Sequence, residues 1–133
     1  MYVFVDTEFS NFDDLDPISL AAVAEDGQKF YVEFNMFETY KNSQFVNFNV
    51  LPHLLGGEYV KSFNEASAAF AEWLDELGAD FEIITDYHGD VQITKSMLES
   101  FNIVNLKRYT DITAVIAKLI NSASVHSKEV SDE

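Results

Sequence analysis

At 133 residues the chain has the size of one domain, and 47% hydrophobic with 14% aromatic residues supplies apolar surface for one core. Eight basic against 23 acidic residues leave a net charge of −15, which opposes long-range attraction to nucleic acid or to an anionic membrane. The 12 Phe, 6 Tyr and single Trp exclude a solvated acidic tail, and the lack of cysteine excludes disulfides and thiolate zinc sites. No basic leader and no apolar run of about 18 residues is present, so the expectation is one cytoplasmic domain over 1–133 with no membrane partner.

Residues 2–9 (YVFVDTEF) are β-branched and aromatic without a helix cap, which predicts a strand; Val3, Phe4, Val5 and Phe9 make it buried on both faces. Ser10 to Pro17 gathers Asn11, Asp13, Asp14 and Asp16 around a proline and reads as a loop. Ile18 to Glu25 and Gln28 to Asn35 are strands joined by the hairpin signal Asp26-Gly27. Within 36–61, Phe45 to Leu55 holds one or two helical turns, broken at Pro52 and stopped by Gly56-Gly57. Ser62 and Glu65 form a capping box, after which Phe63, Ala66, Phe70, Trp73, Leu74 and Leu77 recur at helical spacing up to Gly78. Phe81 to Asp86 is a strand, Asp90 to Phe101 a helix for which capping by Asp90 is the plain structural alternative, and Ile103 to Tyr109 a strand. Ile112, Val115, Ile116, Leu119 and Ile120 mark an amphipathic helix, and the pattern fades over 121–133.

The order predicts an α/β fold: a mixed five-stranded sheet, order 3-2-1-4-5 counted along the chain, with helices on both faces. Asp6 and Glu8, two apart on the first strand, leave one face at neighbouring pleats. Two carboxylates so close need a proton or a cation, and hard ions such as Mg2+ or Mn2+ take oxygen ligands; the plain alternative is an exposed acidic pair. Asp86 and Asp90 fall at the carboxyl end of the strand expected beside the first, where open α/β sheets bind ligands. Asp90 then converges on the pair, while Asp86 ends the strand or shapes the turn.

Val5-Asp6-Thr7-Glu8-Phe9 resembles the first motif of DEDD-type 3′-5′ exonucleases of the ribonuclease H-like superfamily, and the similarity runs through Ile18-Ser19-Leu20, Glu25-Asp26-Gly27 and Phe30-Tyr31. Val50-Leu51-Pro52 and Thr85 to Asp90 also resemble small bacterial and phage exoribonuclease-like members, Asp90 matching the second-motif aspartate and Asp111 the non-catalytic aspartate before the last motif. The last motif departs. Histidine-type members place Asp after four intervening residues, whereas five separate His126 from Asp132; Glu129 is an alternative ligand, and the tyrosine type fails because Thr113 stands where Tyr109 would need an aspartate. With Asp132 one residue before Glu133, its helix frays unless the chain continues or a partner covers it.

The resemblance implies a ribonuclease H-like domain that removes nucleotides from a 3′ end with two Mg2+ or Mn2+ ions held by Asp6, Glu8, Asp90 and Asp132, His126 as base, and Phe9 and Ser10 against the terminal nucleotide. Two divalent ions still leave a net charge of roughly −11, and only one arginine is present, Arg108. The expected substrate is therefore a short RNA or single-stranded 3′ end, DNA remaining open. From another class comes the alternative of an inactive acidic domain that binds a protein partner or mimics nucleic acid. A homodimer is compatible with both readings.

Overall fold

The computed structural model describes residues 1–35 and 41–131, with side chains except at 114 and 124–131. Strands β1 (Tyr2–Phe9), β2 (Pro17–Ala24) and β3 (Lys29–Phe34) form an antiparallel meander turned at Asp26-Gly27. Helix α1 (Gln44–Asn49), capped by Ser43, leads into two 3-10 turns, Leu51–His53 and Gly57–Tyr59, and the two-residue strand β4 (Val60–Lys61). Helix α2 (Phe63–Glu76) follows its Ser62/Glu65 capping box, then β5 (Phe81–Thr85), α3 (His88–Leu98), β6 (Leu106–Asp111) and α4 (Ile112–Ser131).

The sheet is mixed, with six strands in the order β4-β3-β2-β1-β5-β6. The expected five-strand order is thus corrected by a sixth strand, Val60–Lys61, which pairs in parallel with β3; two residues are too few to give a period in sequence. The last strand begins three residues later than expected, at Leu106, because Ile103 sits in a turn whose carbonyl accepts from Leu106 N–H. β1 is central, antiparallel to β2 and parallel to β5.

Two expectations about the faces fail together. β1 alternates: Val3, Val5 and Thr7 are buried, while Tyr2 and Phe4 are 48% and 45% exposed. Both α2 and α3 pack on the first side, where Phe70, Leu74, Ile93 and Met97 join Val3, Val5, Leu20, Ala22 and Val32 in one core. The other side, with Phe4, Ala21, Val23 and Tyr31, bounds an open groove rather than a second helical layer. Aromatic residues suit a pleated strand on either side, so composition alone did not reveal the half-covered sheet.

Glu33 pins the segment before β4. Its fully buried carboxylate accepts from the Tyr31 hydroxyl at 2.5 Å and from the N–H groups of Leu55 and Gly56 at 2.7 and 2.8 Å. Gly56, at φ 67 and ψ −158, adopts a conformation closed to residues with a Cβ, and this aims both amides at the carboxylate. Burial alone would raise the Glu33 pKa; the three donors prevail and hold it below the usual 4.5. Glu33→Gln, which cannot accept all three as an anion, is expected to cost about 3 kcal/mol in denaturant unfolding. Because the folded pKa is lowered, the stabilisation is complete above 4.5 and is lost as pH falls through the folded value. The gap between wild type and Glu33→Gln should therefore close on acidification; a gap constant with pH would contradict the account.

Candidate metal centre

The parallel pairing of β1 with β5 puts the carboxyl ends of both strands at one edge of the sheet. Asp6 leaves the open face of β1, Asp86 directly follows β5, and Asp90 is the third residue of α3. Their carboxylate oxygens lie within 4.8 Å of one another. The alternative of Asp90 as helix cap is excluded: Tyr87 occupies that position, and Asp90 N–H donates to the Tyr87 carbonyl at 3.1 Å. This frees the Asp90 side chain to turn inward, where it is 2% exposed and accepts from Thr7 Oγ1 at 2.5 Å.

Electrostatics match the geometry. Burial, reinforced by the charges of Asp6 and Asp86, pushes the Asp90 pKa up to about 7 despite the Thr7 hydrogen bond. Burial, then Asp86, raises Asp6, and burial, then Asp6, raises Glu8. Among the described residues, the ion pairs Lys107–Asp80 and Arg108–Glu82 lie outside this cluster, which gains no cationic side chain from them. Three oxygen donors under mutual repulsion, one anchored by a second-layer hydroxyl, suit a hard divalent cation.

The expected site residues separate in space. Asp6 and Asp90 converge, and Asp86, read in sequence as a strand end, completes the group in place of Glu8. Glu8 flanks Asp6 and lines both the cleft above the cluster and a smaller recess with Ser19, Tyr31 and His53. Phe9 stands in the cleft wall, its ring stacked on Tyr87 at 5.7 Å and met edge-on by Phe12 at 5.5 Å. Ser10 does not face the cleft: it is fully buried, its hydroxyl accepts from Asp16 N–H at 3.2 Å, and its carbonyl accepts from Ser43 N–H at 2.8 Å. Asp111 caps α4 by accepting from Thr113 N–H at 3.0 Å. The backbone of His126 and Glu129 lies in α4, and Asp132 lies outside the described residues.

The cleft, about 600 Å3, is walled by Phe9, Phe12, Phe45 and Tyr87 and floored by the three aspartates. Phe12 and Phe45 are 72% and 66% exposed, an unusual outlay of aromatic surface beside carboxylates. Tyr87 is held by close packing: a Cβ at Gly89 would lie 2.5 Å from its ring. Sequence reading missed Phe12 and Tyr87; the one available signal was an aromatic residue within the aspartate-rich loop after β1.

Asp86→Asn removes one of three crowded charges. It is expected to raise metal-free stability by about 1 kcal/mol while abolishing the rise in Tm that Mn2+ should produce in the wild type. Thr7→Val, nearly isosteric, should weaken Mn2+ binding by roughly 10-fold or more in calorimetry by releasing Asp90. Unchanged affinity in both variants would remove the cluster as a cation site. No family model matches the chain, and no curated protein matches it either.

Proposed function

We propose that this protein is a metal-dependent 3′-5′ exonuclease of ribonuclease H-like architecture, acting in the cytoplasm on short or single-stranded RNA ends, with DNA ends as the alternative substrate. The observation that carries the reading is the joining of an aspartate triad to an aromatic cleft at the edge where β1 and β5 end. The family resemblance of residues 2–9 and 85–90 supports it, and Asp90 stands where that resemblance requires a carboxylate.

Asp6, Asp86 and Asp90 would hold the cation, with Glu8 beside Asp6 able to serve a second; Mg2+ and Mn2+ fit this all-oxygen set. Such ions supply positive charge against the negative charge that develops on a phosphate under attack. The chain itself supplies the rest. Phe9, Phe12 and Tyr87 offer ring faces and edges to a terminal base, a mode of binding indifferent to sequence. Thr7 fixes the Asp90 carboxylate, so the acid does not reorganise as the substrate arrives. His126 is the proposed base, since a neutral imidazole can accept a proton from water, and Asp132 the proposed further ligand.

The opposing reading, an inactive acidic partner-binding domain, is favoured by the −15 charge and by the five-residue spacing from His126 to Asp132. A 5′-labelled RNA of about ten nucleotides distinguishes them, because stacking and cation contacts suffice at a short end. With Mn2+ the wild type should give a ladder shortening from the 3′ end. Asp6→Ala and Asp86→Ala should each slow it by about 100-fold or more, and Phe9→Ala should act chiefly on KM. Intact RNA together with no Mn2+ binding would overturn the exonuclease reading, and salt-sensitive retention of a basic protein would then favour the alternative.

A further inference from the structure

Apart from the aromatic cleft, two further apolar surfaces stand out among the described residues. One is the groove on the open side of the sheet, about 470 Å3, bounded by Phe4, Ala21, Val23, Tyr31 and Ile84 with Ile112 at its rim. The other is the stripe Val115, Ile116, Leu119 and Ile120 on α4, of which Leu119 is 64% exposed. A sheet face lacking a helix and a helix lacking a sheet are complementary surfaces, yet among the described side chains α4 meets the groove through Ile112 at its start.

The same chain's α4 is poorly placed to close the groove. β6 ends at Asp111 and α4 begins at Ile112, with no residue between them to form a reversing loop. The helix start is fastened twice, by Thr113 Oγ1 donating to the Asp86 carbonyl and by Thr113 N–H donating to Asp111. Folding the stripe back would break both bonds and unwind the first turn. A second copy reaches the groove with no such change.

We infer that two copies associate by reciprocal docking, the α4 stripe of each lying in the sheet groove of the other. Charge favours this pairing: α4 carries Lys118 and Lys128 against the single acid Glu129, a net positive element within a chain of net charge −15. The groove it would meet carries Asp6 and Asp86 against Lys29 on its wall, a net negative lining. The exposed parts of Phe4, Val23 and the five apolar α4 residues amount to roughly 600 Å2 per chain, so a symmetric pair that covers them fully would bury on the order of 1,200 Å2, the lower end of the range for a stable interface. Because Asp6 and Asp86 belong also to the carboxylate cluster, the docked helix forms one side of that site. The inference does not depend on the hydrolytic reading.

The chain has no cysteine, so introduced thiols report contacts directly. Under mild oxidation, a mixture of Phe4→Cys and Leu119→Cys chains should give a disulfide-linked dimer, and each variant alone should give far less. Light scattering should find the wild type at twice the mass of one chain. Ile116→Asp/Leu119→Asp should halve it without loss of the far-UV signature of the fold, and Phe4→Asp should do the same. A mixture of these two disrupted variants should recover dimer, since one docking contact per pair remains intact. A monomeric wild type at 100-fold over micromolar concentration, a disulfide formed within one chain of the doubly substituted Phe4→Cys/Leu119→Cys protein, or a dimer that survives both aspartate variants would each overturn the inference.

Discussion

One buried carboxylate sets the geometry of the sheet's working edge. Asp90 lies on the core side, where an unpaired charge is costly, and the Thr7 hydroxyl is its direct compensation. Thr7 belongs to the core-facing row of β1, while Asp6 and Glu8 belong to the opposite row. The single hydrogen bond between Thr7 and Asp90 therefore locks α3 in rotation and height across the end of β1. A helix turns about 100° per residue, so a slip of one position would carry Asp90 away from both Thr7 and Asp6. Thr94, whose hydroxyl donates to the Asp90 carbonyl at 2.6 Å, and Gly89, which lets Tyr87 close down, secure the same turn from the backbone side.

The remaining architecture follows from how unequally the two sheet faces are used. Two helices, α2 and α3, bury one face, with Phe30 and Trp73 closing the outer edge of the core against Phe70. The other face is left to the acids at one end, to the Glu33-pinned segment beside Glu8, and to the apolar groove between. Glu33 is thus linked to the site at one remove: by fixing Leu55 and Gly56 it positions Leu54 and His53, which wall the recess next to Glu8. A charged residue is retained there because three donors converge on it, two of them amides that a neutral side chain would satisfy less well.

Much of this was legible where a local physical rule acts alone. Asp26-Gly27 made a hairpin, Ser62 with Glu65 made a capping box, and the apolar spacing of α2 and of the α4 stripe read correctly because each needs only near neighbours. Asp6 and Asp90 were legible as a pair because strand adjacency follows from element order. What stayed hidden depended on packing at a distance. Val60–Lys61 is a strand only because β3 offers it an edge, and Asp86 looked like a turn former because its meeting with Asp6 depends on the register between β1 and β5. Ser10 followed Phe9 into the expected substrate site, yet the alternation of the strand ends at Phe9, where the β1–β2 register shifts and the chain turns Ser10 toward Asp16.

The acidic excess, at first an argument against any polyanionic partner, has a sharper consequence once the cations are located. Arg108 is engaged with Glu82 at 2.8 Å, Lys107 lies 3.7 Å from Asp80, and Lys95 sits 5.1 Å above the Tyr109 ring. All three are on or beside β5 and β6, occupied locally rather than arrayed along the aromatic cleft. A polynucleotide threading across this surface would draw no compensating charge from these three and would find Lys41, held beside Asn11, at the cleft, whereas affinity gained through counterion release scales with the number of phosphates neutralised. A terminal nucleotide meets different conditions, since stacking on Phe9, Phe12 and Tyr87 does not depend on net charge and a cation among Asp6, Asp86 and Asp90 offsets the local field. On the proposed function, selection for short ends then arises from the acidic body opposing every phosphate beyond the cleft, without a dedicated measuring element.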